Sequence, residues 1–387
     1  MITREELQNI LIDGENSLVE FKSESVNAQS LAEEFVAFAN FKGGLLLIGV
    51  NDLGEVEGVT KDKMEEFIIN VARNNIRPSI LPDIQRKKYE EKVIYLVDIP
   101  KGDVPHSTTK GQYFIRAGST KQSPTHVELL RLFQRKNLLH FDELPVYETS
   151  IFDIGLDKVS KYIARLGQSE LPESEKEKLS QLKAMRILSP SETENYHATI
   201  SGLLTFGKNV QKHYPSYEIR CGAYKGNSIS SSVVQEKNCD GTLDQQIESA
   251  LAFLKFHIPQ NQQVEDVRRS DEWRVPVAVM REALVNAVCH RDYSIEGSAI
   301  RVFVFPSRLE IQSPGGLSNS LSLEELPYQQ NNRNQAIASF LSGLGFAERR
   351  GKGILTMQKL SKEANINFGY NLVNGSSAFS VFFDWNN

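Results

Sequence analysis

Cysteine is scarce in this 387-residue chain: Cys221, Cys239 and Cys289 are the only three. Their wide spacing excludes a zinc knuckle, and their low number fits a reducing compartment. Long hydrophobic runs are also absent. The longest, such as residues 45–50, are far too short to cross a bilayer. No membrane partner is expected, and the cytoplasm is the default location. Positive charge is not in excess, since the formal net charge is -5. A uniformly cationic coat for nucleic acid is therefore excluded, and any such binding must use a local patch. No Walker-type Gly-x-x-x-x-Gly-Lys-Ser/Thr loop occurs, so a helicase motor is not encoded. The first residues offer no secretion signal; Thr3 and Glu6 have the spacing of a capping box and predict a helix start.

The length suits two or three domains, with 40% hydrophobic and 24% charged residues, the mix of a globular interior. Periodicity and punctuation predict helices over 3–12, 30–41, 61–76 and 124–135, and strands over 18–22, 45–50, 92–99 and 112–116. That mixed order predicts one α/β domain over 1–140. A mainly helical connector is expected over 141–195. A second α/β unit over 196–387 is expected to hold helices at 242–257, 275–290, 333–342 and 352–363, with strands at 298–305, 308–312 and 378–383.

Three carboxylates form the sharpest group in the first domain. Glu20 alternates with Val19 and Phe21 and should face away from the core. Asp52 follows a buried strand, where side chains converge, and Glu15 precedes the first strand. Carboxylates brought together repel unless a cation binds, and Mg²⁺ or Mn²⁺ held by oxygen ligands can activate water against a phosphodiester. The alternative is that they are solvated or structural, with Glu20 paired to Lys22 or Arg116. Gly43-Gly44 either stops a helix or lets backbone N–H groups approach a phosphate. Basic residues gather at Arg86, Lys87 and Lys88. Six more lie between 110 and 136, against the single acid Glu128. Lys22, Arg116 and Lys121 are the phosphate candidates, the last two flanking a Gly-Ser-Thr turn.

The strings Gly14-Glu15-Asn16-Ser17-Leu18-Val19-Glu20-Phe21-Lys22 and Ala37-Phe38-Ala39-Asn40-Phe41-Lys42-Gly43-Gly44 resemble the Schlafen AlbA-type domain. Leu47-Ile48-Gly49-Val50-Asn51-Asp52 and Tyr113-Phe114-Ile115-Arg116-Ala117-Gly118-Ser119-Thr120 extend the resemblance over roughly 1–135. It implies a nucleic-acid-binding module. Nuclease members carry a Glu/Glu/Asp triad at positions matching Glu15, Glu20 and Asp52. Those nucleases resemble paired copies of the module, which implies a homodimer for a chain with one copy.

In the second unit, Glu282, Asn286 and His290 recur every four residues and align on one helix face. The string from Arg281 to Tyr293, with Ser313-Pro314-Gly315-Gly316 and Gly351-Lys352-Gly353, resembles the RecG-like C-terminal family, distantly related to GHKL ATPases. The resemblance implies a GHKL-like α/β sandwich. In it Asn286 holds Mg²⁺, Glu282 orients water, and ATP or another nucleotide phosphate meets His290, Gly315, Gly316, Gly351, Lys352 and Gly353. One departure stands out. The family's adenine-reading aspartate precedes the glycine-rich turn, and here that place reads Ser313-Pro314. The chain ends soon after its last strand, so no winged-helix reader is expected to follow. These readings imply a nucleic-acid-binding (DNA or RNA) regulator, acting in transcription, with a nucleotide-responsive domain. A metal-dependent nuclease and an oligomerising scaffold with degenerate sites are the rivals.

Overall fold

The protein is described from a computed structural model, which covers residues 2–135, 140–168, 170–191, 195–261, 272–317, 323–324, 326–328, 332–346, 353–373 and 377–385. The chain divides into two compact units, Met1–Leu139 and His140–Asn387. Both mix helices with sheets, the α/β class expected.

The first unit is built on a four-stranded sheet. Its elements are α1 (Arg4–Asp13), β1 (Val19–Lys22), α2 (Ala28–Asn40), β2 (Gly44–Ile48), α3 (Met64–Asn74), β3 (Asp83–Tyr89) and β4 (Lys92–Ile99). A hairpin of β5 (Ile115–Ala117) and β6 (Thr120–Gln122) follows, then α4 (His126–Arg135). The Thr3 and Glu6 capping box starts α1 as expected. The spatial order is β1-β2-β4-β3, with β1 and β2 parallel and the other pairs antiparallel. Alternation along β2 and β4 supplies two apolar layers. Leu46, Ile48, Tyr95 and Val97 pack under α2 and α3, while Leu47, Ile94 and Leu96 pack with Phe21 and Leu7 of α1. Strand β3 carries the basic cluster and forms the sheet edge. Arg86 and Lys88 are exposed there, where charge guards an open edge against further pairing. Gly43 is buried, and a Cβ there would lie 2.6 Å from the Ile99 carbonyl oxygen, so this turn is a helix stop packed against the chain.

The second unit has a six-stranded sheet. Its elements are α5 (Leu156–Arg165), α6 (Glu175–Ala184), α7 (Ile200–Phe206), β7 (Ile219–Tyr224), β8 (Val233–Cys239), α8 (Leu243–His257) and α9 (Val277–His290). Then come β9 (Ile300–Val304), β10 (Arg308–Pro314), α10 (Gln335–Gly343), α11 (Gly353–Glu363), β11 (Asn367–Val373) and β12 (Ala378–Asp384). The order is β8-β7-β9-β10-β12-β11, with β7 and β9 parallel and the rest antiparallel. The stretch read as a connector does hold two helices, but it also supplies core. Val159, Tyr162 and Ile163 of α5 and Leu182 of α6 are buried in the same cluster as the sheet residues. Tyr162 meets Phe206 and Phe340 edge-on, at ring separations of 5.3 and 5.8 Å. Among the described residues, no helix is long and apolar enough to cross a membrane.

Candidate nucleic-acid and nucleotide sites

The β5–β6 hairpin pairs Arg116 directly with Lys121. Opposite residues of an antiparallel pair share a face, and this face meets the acidic pair Glu33 and Glu34 on α2. Lys121 Nζ lies 3.0 Å from Glu33 Oε2 and 3.1 Å from Glu34 Oε1. Arg116 Nη1 reaches Glu20 Oε2 at 2.9 Å and Glu34 Oε2 at 3.2 Å. Arg116 Nη2 donates to the carbonyls of Asn16 and Ser119, both at 2.8 Å. The guanidinium carbon sits 4.5 Å from the Phe38 ring centroid. The side chain of Arg116 is 0% exposed. This corrects its assignment as a phosphate contact: its charge is consumed internally, and it orders the carboxylates around it.

Glu20 was expected to face away from the core. Both faces of the sheet are covered, however. Its register partner Leu46 lies in the α2 layer, so Glu20 is turned under α2 and is buried. Its second oxygen pairs with Lys22. The structural alternative for Glu20 thus holds with both Lys22 and Arg116 as partners. Burial alone would lower the Lys22 pKa, but its bond to Glu20 and the charges of Glu20, Glu34 and Glu15 outweigh that and raise it. Burial, then the charge of Glu20, raises the Glu34 carboxyl against the pull of Lys121 and Lys22.

Glu15 is half-buried, and its Oε1 accepts the Phe21 N–H at 2.8 Å. Burial raises its carboxyl, and the charges of Glu20 and Asp52 add to that, opposed by the Phe21 N–H and Lys22. Asp52 is exposed in the loop after β2. Ligand atoms of Glu15, Glu20 and Asp52 do not gather within metal-binding reach. Among the described residues the only such group is His140, Asp142 and Glu143. What the fold does bring together is an open polar cleft of about 350 Å³. Lys22, Ser23, Ser25, Asn27, Asn51 and Asp52 line it at the start of α2.

In the second unit, helical spacing joins Glu282 and Asn286 as expected: Asn286 Nδ2 donates to Glu282 Oε1 at 3.2 Å. Gly353, the first residue of α11, lies against both. A Cβ there would fall 2.2 Å from Glu282 Oε1 and 2.8 Å from Asn286 Nδ2. A Cβ would push those two side-chain ends aside, so glycine lets the start of a helix sit directly beside a carboxylate. Gly351 and Lys352 lie outside the described residues. Gly315 has φ +98°, and a Cβ on it would collide with Asp292 at 2.5 Å and Arg333 at 2.6 Å. Gly316 gives its carbonyl to Arg333 Nη2 at 2.8 Å. Arg333 Nη1 also reaches the His290 carbonyl at 3.1 Å. The His290 ring is half-buried, and burial, with the nearby Arg333 charge, pushes its pKa down to about 4. Ser313, in the place of the missing aspartate, is buried and donates its hydroxyl to the Ala287 carbonyl at 2.7 Å. Sequence reading missed the organising roles of Glu34, of Arg333, and of Asn334, whose Nδ2 donates to the Cys289 and Arg291 carbonyls at 2.9 and 2.8 Å. The signal for Glu34 was present: an acid between the apolar positions Leu31 and Phe35 on a helix face.

Residues 15–125 match the family model described as "Schlafen, AlbA_2", and residues 297–383 match "Putative ATP-dependent DNA helicase recG C-terminal". No curated protein matches the chain. Among solved structures, the DIP2311 protein from Corynebacterium diphtheriae is similar in fold. Its TM-score is 0.50 at 20% identity, over 98% of this chain and 79% of that one. A second match is the N-terminal domain of "Putative ATP-dependent DNA Helicase RecG-related Protein" from Nitrosomonas europaea. It shows 25% identity over 31% of this chain and 90% of that one, with a TM-score of 0.24. The chain is therefore similar to a Schlafen AlbA_2 domain over residues 15–125 and to the ATPase-like RecG C-terminal type over residues 297–383, a pairing that marks a nucleic-acid-associated protein.

Proposed function

We propose that the protein is a nucleic-acid-binding regulator, acting in transcription, whose first unit holds the phosphate backbone without cutting it. The observation that carries this reading is the state of Glu20. Its carboxylate is buried and shared between Lys22 and Arg116, so it is not free to bind a catalytic cation. The neighbouring cleft offers the lysine ammonium, serine hydroxyls, side-chain amides and the start of α2, groups suited to phosphate oxygens. The second unit supplies nucleotide response. Asn286 would present its amide oxygen to Mg²⁺, and Glu282 would orient water. The start of α11 would face the phosphates, and His290, Gly315, Gly316, Gly351 and Lys352 would complete the nucleotide contacts. Two copies of the chain would bring two first units to one nucleic acid, with two-fold symmetry.

The nuclease reading keeps one observation in its favour. The Glu15 carboxyl is raised by burial and by the charges of Glu20 and Asp52, a tension that Mn²⁺ would relieve. Labelled tRNA, single-stranded DNA and duplex DNA separate the two, with binding and cleavage followed in parallel with and without Mn²⁺. The regulator reading expects salt-sensitive binding and intact substrate. Mn²⁺-dependent cleavage that disappears in Glu20→Gln and in Asp52→Asn would overturn it in favour of the nuclease.

A further inference from the structure

At the start of the second unit, three potential metal ligands occur within four consecutive residues. His140 is the N-cap of a single 3-10 turn, Phe141–Glu143. In such a turn positions i and i+3 eclipse, which brings His140 and Glu143 to the same side. One ligand atom from each of His140, Asp142 and Glu143 lies within 4.8 Å of the others. Asp142 is 0% exposed. Its Oδ2 accepts the N–H groups of Ala336 and Ile337, at 2.9 and 3.2 Å, at the start of α10. Its Oδ1 is also buried and has no hydrogen-bond partner. A carboxylate oxygen held from water without a partner is costly, and a bound cation removes that cost. Glu143 commits Oε1 to Arg186 at 2.6 Å, which leaves its other oxygen to a ligand.

We propose that His140, Asp142 and Glu143 bind one divalent first-row transition ion, with zinc the best fit. One imidazole nitrogen with two carboxylates favours such an ion over Mg²⁺ or Ca²⁺, which prefer oxygen alone. Zinc bonds of about 2.0–2.2 Å put tetrahedral ligand atoms about 3.3–3.6 Å apart, so the side chains would draw together on the ion, and water would complete the shell. The ion would tie the entry turn of the unit to α10, because Asp142 lies in that turn and accepts from the start of α10. This site shares no residue with the Glu15, Glu20 and Asp52 group or with the nucleotide site.

The test uses the full chain, stripped with chelator, in a Glu15→Gln/Asp52→Asn background so that the first unit contributes no metal site. Cobalt(II) is titrated and followed by its visible absorption, and zinc(II) is followed by thermal unfolding. About one equivalent of cobalt is expected to bind saturably, and zinc to raise the unfolding temperature. His140→Ala and Glu143→Gln, at half-buried positions, should each weaken cobalt binding at least tenfold and abolish the zinc-dependent rise. Two variants guard against one failing to fold. Absence of saturable binding at micromolar metal would overturn the proposal, as would binding unchanged in both variants.

Discussion

Replacing Arg116 with Met tests whether the first unit is organised around an internal cation. The methionine keeps most of the buried stem and removes the charge. It strips Glu20 and Glu34 of a shared partner and leaves the Asn16 and Ser119 carbonyls without their donor. Removing one member of a buried pair costs about 3–5 kcal/mol, because the remaining charge stays desolvated. Against a typical stability of about 5–15 kcal/mol, that is a large fraction. Both tryptophans, Trp273 and Trp385, belong to the second unit. Far-UV circular dichroism in a urea titration therefore reports both units, while tryptophan fluorescence follows the second. Arg116→Met should move the dichroism transition to lower urea and leave the fluorescence transition in place. Adding Glu34→Gln should return about 1–3 kcal/mol, since it removes one of the stranded charges. A loss below about 1 kcal/mol, with nucleic-acid affinity down and its salt slope reduced by about one unit, would refute the reasoning and make Arg116 a phosphate contact.

Lys22 lines the open cleft, so Lys22→Met should weaken binding of all nucleic-acid sequences similarly and lower the salt slope by about one unit in fluorescence anisotropy. His290 gives a pH signature. Its folded pKa of about 4 lies below the usual 6.5, so the unfolded chain takes up the proton first, and the stability this group contributes is full above pH 6.5 and lost as pH falls toward 4. Relative to His290→Gln, the wild type should lose about 2–3 kcal/mol between pH 7 and 4.5 in urea melts followed by tryptophan fluorescence; a parallel pH profile for the two would reject a half-buried neutral imidazole. Gly353→Ala should displace the start of α11 from Glu282 and Asn286, weakening Mg²⁺-triphosphate binding at least tenfold by calorimetry with a stability cost of about 1–3 kcal/mol. Asn286→Ala should remove the Mg²⁺ dependence of that binding, whereas Glu282→Gln should affect turnover more than affinity, as a single-turnover assay would show.

Strong local patterns were legible in the sequence. The Thr3 and Glu6 box starts α1, and the 92–99 strand is Lys92–Ile99 as expected. The four-residue spacing puts Glu282 and Asn286 on one helix face, as it implied, and there they also bond to each other. Strands β3, β8 and β11 escaped notice. Their burial patterns are largely exposed or intermediate; β3 and β8 are rich in charged and polar residues, so neither alternation nor an apolar run marks them, while in β11 Phe368, Tyr370 and Leu372 do alternate with Asn367, Gly369 and Asn371, over a single short run. Glu20 was misread because alternation says which residues share a face but not whether the other face is also covered. The acidic pair on α2 decides the matter, and it is brought there by packing at a separation of 82 residues between Glu34 and Arg116. The same limit explains the connector. Its polar composition reflects the outer faces of α5 and α6, while Val159, Ile163 and Leu182 turn inward.

The glycine-rich turn after β10 carries the argument about nucleotide choice furthest. In sequence it lacks an acid, for Ser313-Pro314 stands where the family has its aspartate. In space an acid is present, because Gly315 packs so closely on Asp292 that a Cβ would fall 2.5 Å from that side chain. Asp292 is not a free replacement. Its Oδ1 accepts the Ser294 N–H and hydroxyl, at 3.0 and 2.6 Å, and its Oδ2 lies 3.9 Å from Arg333. Reading an adenine amino group requires an acceptor whose lone pairs are unspent, since discrimination comes from the penalty on a mismatched partner. An aspartate already satisfied by its own turn and by an arginine imposes little such penalty. Weak Mg²⁺-dependent binding with poor preference for ATP over GTP is therefore expected from calorimetry on the wild-type chain. Strong rejection of GTP, lost in Asp292→Asn, would mean that this carboxylate leaves Ser294 and Arg333 to meet the base.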